Sequence, residues 1–238
     1  MIIRTKHPVP TGLATKREKI AGWIYFPVHL LLMPILLSFL ASVLPFSVSD
    51  AEINLIYMGA GFLYIMVFLR PFLRRDFDAL LDGKLQVFYA VIQAIAIYWI
   101  TAFVISIVWV SLVPESMLET LNPNDATLQS YTGRSGQIIK ALGICIAPIV
   151  EEVLFRGVLF GQIRKANRIL AYAVSALLFG IFHIWQYALV FWEPTLLLYA
   201  VQYVPHSIGL AWCYEHSNSI WVPIFYHMAL NALAFFSL

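Results

Sequence analysis

The chain has 238 residues, of which 61% are hydrophobic and only 12% charged, and its net charge is +2. A soluble domain carries about 25% charged residues, so the composition excludes one and points to an all-α, polytopic membrane protein. The net charge is small, so what matters is where the charges sit, and no nucleic-acid partner is expected. Two cysteines, Cys145 and Cys213, with no CxxC pair exclude a disulfide framework and a zinc ribbon.

Seven apolar segments can be drawn in chain order, at 22–46, 51–69, 85–113, 137–163, 169–188, 195–214 and 220–238. Most have the roughly 20 residues needed to cross about 30 Å of hydrocarbon. The first follows a basic tail but is too long for a signal-peptide core and carries Pro27 and Pro34, so it reads as a retained span. Basic residues set the topology. Arg4, Lys6, Lys16, Arg17 and Lys19 precede the first span; Arg70, Arg74, Arg75 and Lys84 join the second to the third; Arg164, Lys165 and Arg168 join the fourth to the fifth. With seven spans these three groups share one side, which puts the N-terminus in the cytoplasm. The opposite loops hold Arg134 and mainly Asp50, Glu52, Glu115, Glu119, Asp125 and Glu193.

The one long loop, 114–136, divides the chain into an accessory half of three spans, 1–113, and a functional half of four, 137–238. The accessory half has no ionisable residue deep in the membrane except His29, which, like His7, reads as interfacial. Trp23, Trp109, Trp185, Trp192 and Trp221 near span ends fit interface belts. Both cysteines fall inside spans and read as small apolar core residues.

The fourth span carries Glu151, Glu152 and Arg156. Each charge costs roughly 2.5–3.5 kcal/mol at a helix centre on insertion scales, so the cluster must pair, line a wet cavity or do chemistry. Glu152 and Arg156 are i,i+4 neighbours suited to an ion pair. Glu151 diverges by about 100° and lacks that partner. This suggests a clamp, Glu152–Arg156, and a free carboxylate, Glu151; an ion-pair network that only fastens helices is the alternative. The fifth span pairs Phe179 with His183 at i,i+4, and the seventh pairs His227 with Asn231. At about 1.5 Å per residue, Glu151, His183, His227 and Asn231 fall within a band of depth that one cavity could span. A carboxylate and an imidazole could polarise water, while a second imidazole and an amide could stabilise an oxyanion. Rival hydrolase signatures are absent: there is no HExxH helix, no GxSxG elbow and no Asp in any span.

The ordered motifs Glu151-Glu152-Val-Leu-Phe-Arg156, Phe179-Gly-Ile-Phe-His183 and His227-Met-Ala-Leu-Asn231 resemble the CPBP family, the CAAX-protease and bacteriocin-processing (Abi) membrane proteins. The resemblance covers about 137–238. It implies a glutamate-type intramembrane endopeptidase: Glu151 with His183 activating water, His227 with Asn231 forming the oxyanion hole, and Glu152, Arg156 and Phe179 in support. It implies no cofactor, with a divalent metal such as zinc the alternative that the Glu, His and Asn donors leave open. The implied partners are the bilayer and a peptide or lipidated protein substrate. That substrate would be a prenylated C-terminus in an endoplasmic-reticulum membrane, or a bacteriocin or peptide-signal precursor in a bacterial plasma membrane. A non-catalytic immunity or binding protein on the same scaffold is the rival. A transporter is disfavoured by the lack of an internal repeat. His206, after Pro205, could line the cavity but reads rather as a helix-break polar residue, and Glu215 and His216 read as solvated loop residues.

Overall fold

The computed structural model describes residues 13–131 and 133–237; Arg4, Lys6 and His7 lie outside them. Every regular element among the described residues is helical. Among the described residues, four helices are long and apolar enough to cross a membrane: Lys16–Val43, Asp50–Phe68, Lys84–Ser111 and Arg168–Val190. Their outer faces leave residues such as Phe39, Val67, Trp99 and Phe103 exposed, as lipid contact requires. The protein is an all-α polytopic membrane protein.

Local chemistry explains the element ends. Helices α1 (Lys16–Pro27) and α3 (Asp50–Phe68) each begin with a capping box, Thr15 with Glu18 and Ser49 with Glu52. Between α1 and α2 (Met33–Val43) lies a π-helical turn, Val28–Leu32. The expected connection 70–84 carries helix α4 (Arg70–Asp82), which leads into α5 (Lys84–Leu112). The expected loop 114–136 also departs from that reading. It contains α6 (Glu115–Leu118) and α7 (Pro123–Ser130), and α8 (Gly133–Cys145) begins inside it. Asn122 caps α7 and Pro123 opens it, a local start signal that a loop-like composition masks.

The functional half departs from regular helix where it matters. The segment read as one span is α8, a break at Ile146 before Pro148, then α9 (Ala147–Glu152), a π-helical stretch Val153–Phe160 and α10 (Gly161–Ile163). Proline lacks the N–H that would continue the ladder, and π-turns occur often at functional sites. After α11 (Arg168–Val190), a 3-10 stretch, Pro194–Tyr203, leads into α12 (Val204–Ser217), and α13 (Trp221–Ser237) closes the chain. The 3-10 stretch packs on α11 at Gly180, where any Cβ would collide with the Ala200 carbonyl.

One buried core joins both halves: Tyr25, Phe26, Ile65 and Phe72 pack with Phe155, Phe179 and Leu210. Polar contacts define two ends. At one, Arg75 grips Glu18 with two bonds of 2.7 and 2.8 Å, Gln162 donates to the Leu13 carbonyl, and the Trp221 indole donates to the Leu73 carbonyl. Here too Glu215 accepts from Arg164 (2.5 Å), Arg168 (2.9 Å) and Tyr172 (2.6 Å). The three basic connections therefore meet in space. At the other end Thr120 meets Tyr199 at 2.6 Å, and Asn122 donates to Gln202 (3.2 Å) and Tyr203 (3.0 Å).

Three expectations need correction. His29 is fully buried rather than interfacial, because the π-turn directs it inward onto Tyr57, ring centroids 4.4 Å apart. Glu215 is buried, not a solvated loop residue, because two arginines from the facing connection close over it; His216 is half-buried and stacked on Trp212 at 3.9 Å. Cys145 is exposed, whereas Cys213 sits in the core.

Candidate functional site

The side chains of α9, α11 and α13 meet in one cavity of about 310 Å³, lined by Glu151, Phe179, His183, Tyr203, His206, His227 and Asn231 among others. Glu151 and Glu152 leave α9 in different directions, as their sequence adjacency demands. Glu151 Oε2 is buried without a hydrogen-bond partner. Two imidazole nitrogens face it: His183 Nε2 at 3.8 Å and His227 Nε2 at 3.9 Å. These gaps exceed direct hydrogen-bond range and suit a bridging water or a reacting atom.

Each ring is held from behind. His183 Nδ1 lies 2.8 Å from the Phe179 carbonyl. A carbonyl only accepts, so Nδ1 carries a proton, and Nε2, the atom whose lone pair is free when the ring is neutral, is turned toward Glu151. His227 Nδ1 lies 2.8 Å from Glu152 Oε1, so a carboxylate orients this ring. Glu152 therefore has two partners, one more than helical spacing alone indicates. Arg156 Nε lies 3.1 Å from Glu152 Oε2, an ion contact whose angle is too bent for a hydrogen bond. Both groups are fully buried.

Arg156 is further fixed by Ser207, whose carbonyl and hydroxyl accept from Nη2 at 3.1 and 3.2 Å. Its guanidinium lies over the Phe179 ring at 4.6 Å. The same ring touches His183 (4.6 Å) and His227 (5.9 Å). Phe179 thus braces a cation and both imidazoles. Asn231 Nδ2 donates to the Gly143 carbonyl at 2.9 Å, tying α13 to α8; the second hydrogen on that nitrogen is available to the cavity.

All seven residues singled out from the sequence meet at this cavity or directly behind it. Three neighbours join them, of which Tyr203 and Ser207 were not singled out. Tyr203 stacks on His183, centroids 4.3 Å apart. Ser207 holds Arg156. His206, read mainly as a helix-break residue that could also line the cavity, does line it and meets Tyr98 edge-on at 4.9 Å. Pro205 was the available signal, since it marks the irregular backbone that turns Tyr203 and His206 inward. Among the described residues, no group of three or more His, Cys, Asp or Glu is arranged to hold a metal ion.

Residues 137–233 match the family described as "Type II CAAX prenyl endopeptidase Rce1-like". That segment resembles the CPBP family, as the ordered motifs imply. The CPBP-like segment contains every residue of the cavity cluster described above. The chain is also 32% identical over 87 residues to the "Putative membrane peptidase YdiL" of Bacillus subtilis, a stretch that is 36% of this chain and 31% of that protein. The matched stretch is thus under a third of the relative's length. No solved structure gives a significant match.

Proposed function

We propose that this chain is an intramembrane endopeptidase of the CPBP type, in which Glu151 and His183 activate water without a metal or other cofactor. The observation that carries the reading is the convergence of two imidazole Nε2 atoms on the unpartnered Glu151 Oε2, at 3.8 and 3.9 Å, with Asn231 on the same cavity wall. A water in that gap donates one hydrogen to Glu151 and the other to His183 Nε2, which orients its lone pair on a substrate carbonyl. As the oxygen attacks, Glu151 takes a proton. Negative charge develops on the carbonyl oxygen, and Asn231 and His227 donate to it. His227 already gives its Nδ1 hydrogen to Glu152, so donation from Nε2 requires the ring to enter the step as an imidazolium, with Glu152 as its counter-ion and both ring protons retained throughout. Collapse breaks the C–N bond, and the leaving amine receives the proton from Glu151.

Glu152, Arg156 and Phe179 act through the two rings. The substrate is a peptide or protein delivered at the membrane, and the similarity to a type II CAAX prenyl endopeptidase and to a bacterial membrane peptidase supports that class. The bacterial relative supports a bacterial plasma membrane, and the charge distribution supports a cytoplasmic N-terminus. The deciding experiment compares wild type with Glu151→Gln in the host membrane by peptidomics. We expect processing to fall to background at unchanged protein level. Full biological activity of Glu151→Gln would move the assignment to a non-catalytic binding protein on this scaffold.

A further inference from the structure

The cavity around Glu151 continues to one end of the molecule, and it is the end away from the basic connections. Beyond the catalytic cluster its walls are Asn54, Asn122, Asn124, Asp125, Leu128 and Gln202. Asn54 stands in the first turns of α3, and the next four belong to α7 and its cap. The opposite end gathers Arg75 on Glu18 and Arg164 and Arg168 on Glu215, with Lys165 next to Arg164 in the chain. Basic connections stay in the cytoplasm, so the mouth faces the other way.

This mouth is built rather than incidental. Asn122 is buried, accepts from the Asn124 N–H at 2.9 Å, and donates to Gln202 and to the Tyr203 hydroxyl. Tyr203 in turn stacks on His183. The rim is therefore tied through one aromatic ring to the imidazole that faces Glu151. Its chemistry is also selective. Carboxamides can pair with both the N–H and the C=O of an extended peptide. Among the described lining residues there is Asp125 and no Lys or Arg. The first turns of α3 and the segments around α6 and before the 3-10 stretch add Asp50, Glu52, Glu115, Glu119 and Glu193, against Arg134 and Lys140 on α8. Such a field draws in positive charge and disfavours a free C-terminal carboxylate.

We infer that the site is loaded from the extracytoplasmic face, through this carboxamide and Asp125 mouth, by an internal peptide segment that carries positive rather than negative charge. The inference rests on the protease reading for the fate of that peptide, but not for its entry.

The test is thiol accessibility in the full chain, expressed in a bacterial inner membrane on a Cys145→Ser background; Cys213 is buried and can stay. Asn124→Cys reports the mouth, Leu128→Cys replaces it if the first variant fails to accumulate, and Lys165→Cys reports the opposite end. A membrane-impermeant maleimide should label the mouth thiol in right-side-out spheroplasts and Lys165→Cys only in inverted vesicles. Labelling of the mouth thiol only in inverted vesicles overturns the inference. In spheroplasts, a lysine-flanked peptide should slow mouth labelling roughly fivefold relative to the same peptide flanked by glutamate, the factor one close ion pair gives in water-like surroundings. Equal protection, stronger protection by the glutamate version, or none from either overturns the charge preference. Labelling is read without proteolysis. A chain that labels and is protected as expected but cleaves nothing would sink the protease reading alone.

Discussion

Replacing Arg156 with methionine is the sharpest test of how this core is held. Arg156 and Glu152 are both fully buried, and the arginine also bonds Ser207 and covers Phe179. Arg156→Met keeps most of the volume and leaves Glu152 with His227 as its remaining partner. Removing one member of a buried pair costs about 3–5 kcal/mol, because the other charge is stranded. In a chain of this size about 1 kcal/mol moves Tm by roughly 2–4 °C, so the expected drop is roughly 6–20 °C. The double variant Glu152→Gln/Arg156→Met should recover much of that loss, since neither charge is left alone, and the cycle should show coupling on the order of 1–3 kcal/mol. Thermal unfolding in detergent, followed by intrinsic fluorescence and checked by the monodisperse yield on size exclusion, measures it. If Arg156→Met unfolds at the wild-type temperature, or if the two changes are additive, the clamp is not what holds the π-helical stretch against α12.

Other expectations follow from the same geometry. Asn231→Ala should lower kcat by about 10²–10³ while peptide binding to the protein survives; loss of binding without loss of kcat would remove Asn231 from the proposed oxyanion hole. Gly180→Ala should destabilise the protein by about 1–3 kcal/mol through overpacking, because the new methyl meets the Ala200 carbonyl; a wild-type Tm would show that the 3-10 stretch can shift freely. At the basic end, burial pushes the Asp76 carboxyl up to about 7 despite the Ile220 N–H it accepts. The folded state then holds a proton that the unfolded chain has already lost, so this group's contribution falls as pH rises from about 4 to about 7. Asp76→Asn should flatten Tm over that window, and an unchanged slope would contradict it. Chelation should leave proteolysis intact under the water-activation proposal; a reversible loss restored by zinc would replace it with a metal mechanism.

Glu215 shows the opposite linkage at the same end. Burial pushes its carboxyl up, but Arg168, Tyr172 and Arg164 together outweigh that and hold it below the usual carboxylate range. Its contribution is therefore present above the unfolded value and is lost as pH falls through the folded one. Nothing in the local sequence distinguishes Glu215 from a solvated terminal residue, because its partners lie 43 to 51 positions away.

The sequence by itself determined the membrane class, the position of most helices and the motif residues of the cluster. Hydrophobic length and i,i+4 spacing are local properties, and they put Glu152 beside Arg156, Phe179 beside His183 and His227 beside Asn231. What Glu152 does with His227, what Tyr203 does with His183 and how Ser207 secures Arg156 were decided only by tertiary structure. These contacts join different helices across breaks at Pro148 and Pro205, a π-helical stretch and a 3-10 stretch, where a regular 3.6-residue period gives the wrong direction. The direction in which the cavity opens belongs to the same category. Charge counting assigns a side to each loop, but only the packed α7, with Asn122 and Asp125, turns one of those sides into a mouth.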